Sequence, residues 1–478
     1  MPIVTKNREM RPHTYTGGAG SSADMQKTFN SGCMKNSERT FEQALQCQQQ
    51  NSLSCLISME DAAFVIHSPL GCAGCVATVN DSYKVGQHMA GETILKNARY
   101  VVTNLDQKDV ILGGEKKLRA GIEDVYNRYH PKLIFIFTSC ASGIIGEDID
   151  AVAEAVQSQY DAIIVPIHCE GFRTRIMSTG FDAVFNALSE YVLKDEHPVK
   201  DEHLINVFAS TYIGVPDQRE IARMLAALDL VPNFIPFYSN YEKIKKIPTA
   251  VASVSLCHVF ADNFMQWLDE KYNIPYTMTG MPMGIKNTDD WLRGVAKLVG
   301  KEKEAEEFIE SEHKAIEERL AKLKEELGGK RAFICAGSSR SMAAARLIED
   351  FDMKLVGIQT PHYDEVVAPK ISQLIEEYGE DFVVDIASLQ PFEQANLIRR
   401  LNPDVFIGLS NWASRQGIPT THVLDSKHIT LGYRGLLYLG EKISDAIDNS
   451  GLNKKLAQHR PLHYKESWYE QNPFKYLV

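Results

Sequence analysis

One pattern narrows the fold of this 478-residue chain more than any other: short unbroken apolar runs, each closed by a turn that carries a thiol or small residues. The first is Ala62–Ile66, followed by His67-Ser-Pro-Leu-Gly-Cys72-Ala-Gly-Cys75. An apolar run without alternation reads as a strand buried on both faces, which occurs in parallel sheets covered by helices. Leu133–Phe137 leads in the same way into Thr138-Ser-Cys140, and Ala250–Leu256 leads into Cys257. Ligands of open α/β sheets bind beyond the carboxyl ends of the strands, where these thiols fall.

Amphipathic stretches separate the runs. Glu115–Tyr126 is apolar at helical spacing between the first two strands, and Ala162–Ile167 is a third strand. Strands alternating with helices predict βαβ units and a parallel sheet. The charged stretch Lys194–His203 is a boundary, after which Leu204–Ala209, a helix at Arg219–Leu228 and Ala250–Leu256 restart the pattern. A charged helix, Glu302–Leu327, leads to a third set of strands at Ala332–Ala336, Lys354–Ile358, Phe382–Ile386 and Val405–Leu409. The fold expected is α/β with three doubly wound domains: an arm over 1–40, then 41–200, 201–328, and 329–478 with a C-terminal segment. The arm is expected to lack helical or strand period, and the polar string from Gln43 to Gln50 is expected to be a loop holding Cys47.

Composition excludes several classes. With 44% apolar and 24% charged residues the chain is globular, and no run long enough to span a membrane is present. The first thirty residues lack an apolar h-region, so a cytoplasmic protein is expected. A net charge of −11 argues against nucleic-acid binding, which needs a basic footprint. Nine cysteines in such a chain are not a disulfide framework. Cys33, Cys55 and Cys335 read as small packed hydrophobes. Cys47, Cys72 and Cys140 have no local C-x-x-C pairing among them, yet strand ends and a loop could converge them. Thiolates are soft ligands for iron–sulfur clusters, and three is one short of the usual four, so a second chain would complete the set. Packed core thiols remain the competing reading.

The strings Ile66-His-Ser-Pro-Leu-Gly-Cys72, Asp109-Val-Ile-Leu-Gly-Gly-Glu, Ser139-Cys140, Ile144-Ile-Gly-Glu-Asp-Ile149, Cys169-Glu-Gly-Phe-Arg173 and Gly432-Tyr-Arg-Gly435 resemble the nitrogenase component-1 superfamily. The resemblance implies three Rossmann-like domains and an α-type (D) chain paired with a β-type (K) subunit in an α2β2 heterotetramer. It also implies an ATP-dependent 4Fe-4S reductase as electron donor. It gives Cys47, Cys72 and Cys140 as ligands of an 8Fe-7S P-cluster shared with the partner. Cys257 would hold one end of a complex active-site cluster, 8Fe-9S-C-like, whose heterometal the sequence leaves open. Arg340 matches an arginine lining that cofactor, and Cys169 is expected beside the first cluster rather than as a ligand. The second cofactor ligand falls on His422, counted back from Gly432, with His428 as the alternative.

The match departs at the substrate wall. Where dinitrogen-reducing members place a glutamine and a histidine, the offsets give Met177 and Phe181, and Asn80 replaces a basic residue. Neither Met177 nor Phe181 relays protons. The pattern therefore points to a methylthio-alkane reductase, which cleaves C–S bonds of small organic sulfides and releases methanethiol, with His168 or His428 as proton sources. A cofactor-assembly scaffold, which also lacks the polar pair, a nitrogenase α chain and a metal-free Rossmann-type binding protein are the alternatives.

Overall fold

The computed structural model describes residues 14–39, 47–89, 92–173, 176, 178–194, 197–209, 213–387, 390–408 and 412–477. These divide into two compact units, one of residues 47–278 and one of residues 14–39 with 279–477. No described helix is long and apolar enough to cross a membrane.

The N-terminal segment corrects an expectation. Instead of an unstructured arm, β1 (Gly18–Ser21) and α1 (Ser22–Asn30) form, with the Ser21 side chain accepting the Asp24 N–H as an N-cap. A cap and partners far along the chain, β12 and the Tyr363 ring against Phe29 among them, stabilise this short pair, and they leave no local period.

In the first unit, α2 (Gln48–Leu56) precedes β2 (Ala62–His67), α3 (Leu70–Ala73), β3 (Tyr100–Val102), α4 (Glu115–Tyr129), β4 (Leu133–Thr138), α5 (Cys140–Ile144), α6 (Ile149–Gln157), β5 (Ile163–Ile167) and α7 (Thr179–Ala187). The strands form a parallel sheet in the order β3-β2-β4-β5. Every residue of β2 and β4 is buried. Val65, Ile134 and Ile136 pack with Leu118, Ile122 and Val125 of α4 on one face. Phe64, Phe135 and Phe137 fill the other. Burial on both faces is the reason the runs do not alternate. A second parallel sheet follows in the order β7-β6-β8-β9, with β6 at Leu204–Ala209, β7 at Val231–Pro236, β8 at Ala252–Ser255 and β9 at Tyr276–Thr277. The two prolines of β7 sit on an edge strand, where a missing N–H is tolerated. The helix between β6 and β7 is Val215–Ala226.

In the second unit, α8 (Glu302–Leu327) buries the stripe Ala305, Ile309, Ile316, Leu323 and Leu327 and exposes its charged faces. Beyond it come β10 (Arg331–Cys335), α9 (Ser338–Glu349), β11 (Lys354–Thr360), β12 (Val383–Ile386), β13 (Val405–Gly408), β14 (Thr420–Thr421) and α10 (Gly432–Asp448). The sheet order is β1-β12-β11-β10-β13-β14, parallel except for β1. Arg39 anchors the incoming segment. Its buried guanidinium meets Glu393 at 2.9 Å and Asp385 at 3.1 Å. Apart from the edge strand β1, all three sheets are parallel, so the expected α/β fold is observed.

Candidate iron–sulfur sites

The thiols of the first unit are delivered by short, well-capped elements. β2 ends at His67, and the turn through Pro69 starts α3, on which Cys72 is exposed, its N–H on the Pro69 carbonyl at 3.2 Å. β4 ends at Thr138. Ser139 then caps α5 in a reciprocal capping box with Ser142, leaving Cys140 exposed in the first turn. Cys47 was expected in a loop. It is instead the exposed N-cap of the otherwise buried α2, its sulfur accepting the Gln50 N–H at 3.4 Å. α2 lacked a helical signal because its polar residues are satisfied by distant partners: Gln49 donates to the Thr138 carbonyl at 2.9 Å and Ser52 to Gly180 at 2.8 Å.

These three thiols converge. A Cβ on Gly171 would lie 3.3 Å from Cys47 Cβ and 3.5 Å from Cys140 Sγ. Partial burial raises the Cys72 thiol pKa, and the thiolate charges of Cys140 and Cys47 raise it further. Among the described residues the three sulfurs do not all lie within 4.8 Å of one another, the packing of a single-ion site. A wider set of exposed soft donors fits a multinuclear cluster. Leu70, Ile144 and Phe172, on or beside the same elements, are 65%, 74% and 55% exposed.

The other cysteines of this unit differ. Cys169 is fully buried, donates to the Thr138 carbonyl at 3.4 Å and has its pKa pushed well up by burial. Such a thiol stays protonated. Cys55 is buried likewise. Next to Cys169, His168 meets Asp150 at 2.6 Å and Glu170 at 3.7 Å, and Tyr191 donates to Asp150 at 2.5 Å. Those carboxylates push the imidazole pKa up to about 9. This ion cluster was not legible, since Tyr191 is distant in sequence and carries no motif.

Cys257 is half-buried just beyond β8. Its N–H bonds to Ser255 Oγ at 3.3 Å, and the Phe260 N–H returns to the Cys257 carbonyl at 2.9 Å, closing a tight turn. Phe181, on α7, meets Phe260 edge-on with centroids 4.7 Å apart. Phe185 and Phe264 continue the aromatic layer. Met177 lies outside the described residues.

In the second unit, Arg340 is buried on α9 and donates to the Val423 carbonyl at 2.8 Å, directly beside His422 in the chain. Burial first, then the charge of Lys442, lowers the His422 pKa and keeps the ring neutral. Its buried Nδ1 has no hydrogen-bond partner. A neutral imidazole with an unused ring nitrogen is the form that ligates a metal. His428 is otherwise engaged. It is exposed, bonded to Asp425 at 3.0 Å and stacked on Tyr438 at 4.8 Å. Asp425, despite partial burial, is held well below the usual carboxylate range by Tyr438 and Lys442.

Of the three cysteines read as packed hydrophobes, Cys55 and Cys335 are. Cys33 is exposed, on the turn after α1. Cys335 packs against the core of Phe333, Leu397 and Phe406, with Gln359 at 3.2 Å and Gln394 at 3.1 Å, and its pKa is pushed up to about 12 by burial.

The sequence profile described as nitrogenase component 1 type oxidoreductase matches residues 47–448. The nitrogenase iron-molybdenum cofactor biosynthesis protein NifE of Methanococcus maripaludis is 26% identical over 426 residues, covering 87% of this chain and 86% of the relative. The nitrogenase molybdenum-iron protein alpha chain of Methanosarcina barkeri is 26% identical over 445 residues, covering 81% of this chain and 83% of the relative. Among solved structures, nitrogenase Cp1 at pH 5 shares the fold with a TM-score of 0.73 at 20% identity, covering 89% of this chain and 93% of that one. The chain belongs to the nitrogenase component 1 family, and within it is α-type, like NifE and the molybdenum-iron alpha chain.

Proposed function

We propose that this chain is the α-type subunit of a two-component reductase that cleaves C–S bonds of small methylthio-alkanes. The observation that carries this reading is Phe181, edge-on to Phe260 in the turn that begins at Cys257. An aromatic wall there favours an apolar thioether and offers no hydrogen bond to a dinitrogen intermediate. The overall reaction is R–S–CH3 + 2 e⁻ + 2 H⁺ → R–H + CH3SH.

Cys47, Cys72 and Cys140 supply one chain's thiolates to an 8Fe-7S cluster, and a β-type partner supplies the rest. The exposed Leu70, Ile144 and Phe172 give that partner an apolar rim to cover. Cys257 would ligate an active-site cluster, an 8Fe-9S-C-like group that would supply low-potential electrons when bound, and the sequence count names His422 as its second ligand. His422 qualifies through its unused Nδ1, and His428, bonded to Asp425, does not. Arg340 places a buried cation next to His422, which offsets the negative charge of a cluster. Phe181 would line the substrate side, and the sequence offset assigns Met177 the same role. Electrons arrive from an ATP-dependent 4Fe-4S reductase in an α2β2 assembly.

A second reading, a cofactor-assembly scaffold, is favoured by the NifE relatives. One experiment separates the two. The chain, purified anaerobically with its partner and reductase, is given ATP, dithionite and ethyl methyl sulfide, and methanethiol is followed by gas chromatography. ATP-dependent methanethiol, lost in Cys257→Ala, establishes the reductase. An iron-loaded complex that turns over neither sulfides, dinitrogen nor acetylene establishes the scaffold.

A further inference from the structure

The loops that carry Cys72 and Cys140 are tied together at their roots. His67 ends β2 and pairs in register with Thr138, which ends β4. Its ring is wholly buried, with Nε2 on the Glu147 carboxylate and Nδ1 3.1 Å from Thr103 Oγ1. Glu147 belongs to the turn that follows α5. Its N–H bonds to the Ser142 carbonyl at 3.2 Å, and its second carboxylate oxygen accepts the Gly114 N–H. Thr103 Oγ1 also accepts the Ser68 N–H at 3.2 Å, holding the turn that begins the Cys72 loop. Thr103 Oγ1 thus lies between Nδ1 of the ring and the Ser68 N–H that it accepts, with the Ile66 carbonyl also 3.5 Å from its hydroxyl.

The seat is tight. A Cβ on Gly114 would lie 2.7 Å from Glu147 Oε1 and 2.5 Å from Leu105 Cδ2, so the carboxylate rests directly against backbone. Gly146, at φ +71°, turns the chain to bring Glu147 back toward β2. No step of the proposed chemistry uses this buried pair. Its geometry joins five residues before Cys72 to seven after Cys140 through one hydrogen-bonded contact.

We propose that the His67–Glu147 pair is a positioning clamp that fixes the separation of Cys72 and Cys140 before any cluster is assembled. The inference rests on the three-thiol cluster reading for its purpose, although the clamp itself is a property of the iron-free chain. Groups that orient ligands in this way commonly change metal affinity by roughly 10–100-fold when removed.

The test uses the full-length, iron-free chain. Dibromobimane, a short bifunctional thiol reagent, is applied under reducing-agent-free anaerobic conditions, and mass spectrometry of peptides gives the ratio of Cys72–Cys140 to Cys47–Cys140 cross-links. Reconstitution with ferrous iron and sulfide then gives bound iron and, by potentiometric titration, the midpoint potential. Glu147→Gln keeps one acceptor oxygen and turns an amide NH2 toward the other donor, so it is expected to fall between wild type and the alanine variants. Glu147→Ala and His67→Ala are expected to lower the cross-link ratio and the iron affinity by roughly tenfold. A purely structural role would lower the unfolding temperature and leave the ratio unchanged. Folded alanine variants with a wild-type ratio overturn the clamp. If they do not fold, Thr103→Val frees the ring at Nδ1 alone, and an unchanged ratio there also overturns it. Wild-type chain that cross-links as expected yet binds no iron even when reconstituted together with its β-type partner sinks the cluster reading and leaves the clamp standing.

Discussion

Gly180→Ala tests how closely the Cys47 thiol depends on helix packing. Gly180 lies in the first turn of α7, where the backbone of α2 passes directly over it. A Cβ there would sit 2.5 Å from the Gln48 carbonyl oxygen, 2.9 Å from Asn51 Cβ and 3.0 Å from Ser52 N. Two of these atoms are backbone, so no side chain can swing aside. Ordinary contact begins near 3.4 Å, so α2 must shift by close to a full ångström at its first turn. That turn carries Cys47 as its cap. Overpacking of this kind costs about 1–3 kcal/mol. At about 2–4 °C per kcal/mol for a unit of this size, the unfolding midpoint should fall by about 2–12 °C. Calorimetry reads the midpoint, and iron per chain after anaerobic reconstitution reads the thiol site. The reasoning predicts that both fall together. An alanine variant with unchanged midpoint and iron content refutes the close helix contact and the dependence of the thiol site on it.

Other expectations separate ligands from bystanders. Cys169→Ala should cost about 1 kcal/mol in chemical denaturation and keep full iron content, whereas Cys140→Ala should lose iron in the same assay. His422→Asn should reduce iron bound at the cofactor site while His428→Asn leaves it unchanged, read by metal analysis beside the electron-paramagnetic signal. His168 has its folded pKa raised to about 9 by Asp150 and Glu170. Its stabilisation is therefore fully present below the unfolded value near about 6.5 and lost as pH rises through about 9. His168→Gln should be less stable than wild type by about 1 kcal/mol near pH 6, after screening at a half-exposed site, and equal to it near pH 10. A stability gap independent of pH would rule out the ion pair as its source.

Much of the sheet framework was legible, because burial on both faces writes itself as uninterrupted apolar runs. Leu204–Ala209 and Glu302–Leu327 match the observed elements end to end, and β2 and β4 each run one residue further than expected, to His67 and Thr138. Ala250–Leu256 shortens to Ala252–Ser255, although Val251 and Leu256 still donate to the Leu204 and Phe208 carbonyls of β6. What was illegible depends on distant partners. β1 pairs with β12, and α2 is polar yet buried, its amides and hydroxyls satisfied on β4 and α7. At the sites, the positions of Cys72 and Cys140 beyond strand ends could be read directly. The approach of Cys140 to Cys47 across Gly171 required the fold. Counting back from Gly432 favours His422 over His428, and the Asp425 contact that engages His428 is not encoded in spacing.

The capping role of Cys47 makes the thiol set mechanically uneven. Its sulfur completes the first turn of a nine-residue helix that is buried along nearly its whole length, so swinging it away would unwind that turn. Cys72 and Cys140 ride on helices of four and five residues at the surface, with far less structure to disturb. The His67–Glu147 contact ties Cys72 and Cys140 to each other, so any compliance at the mouth of the site moves those two thiols as a pair relative to Cys47. Any group held there that changes shape with its oxidation state would meet a fixed wall at Cys47, and would have to displace the linked pair together.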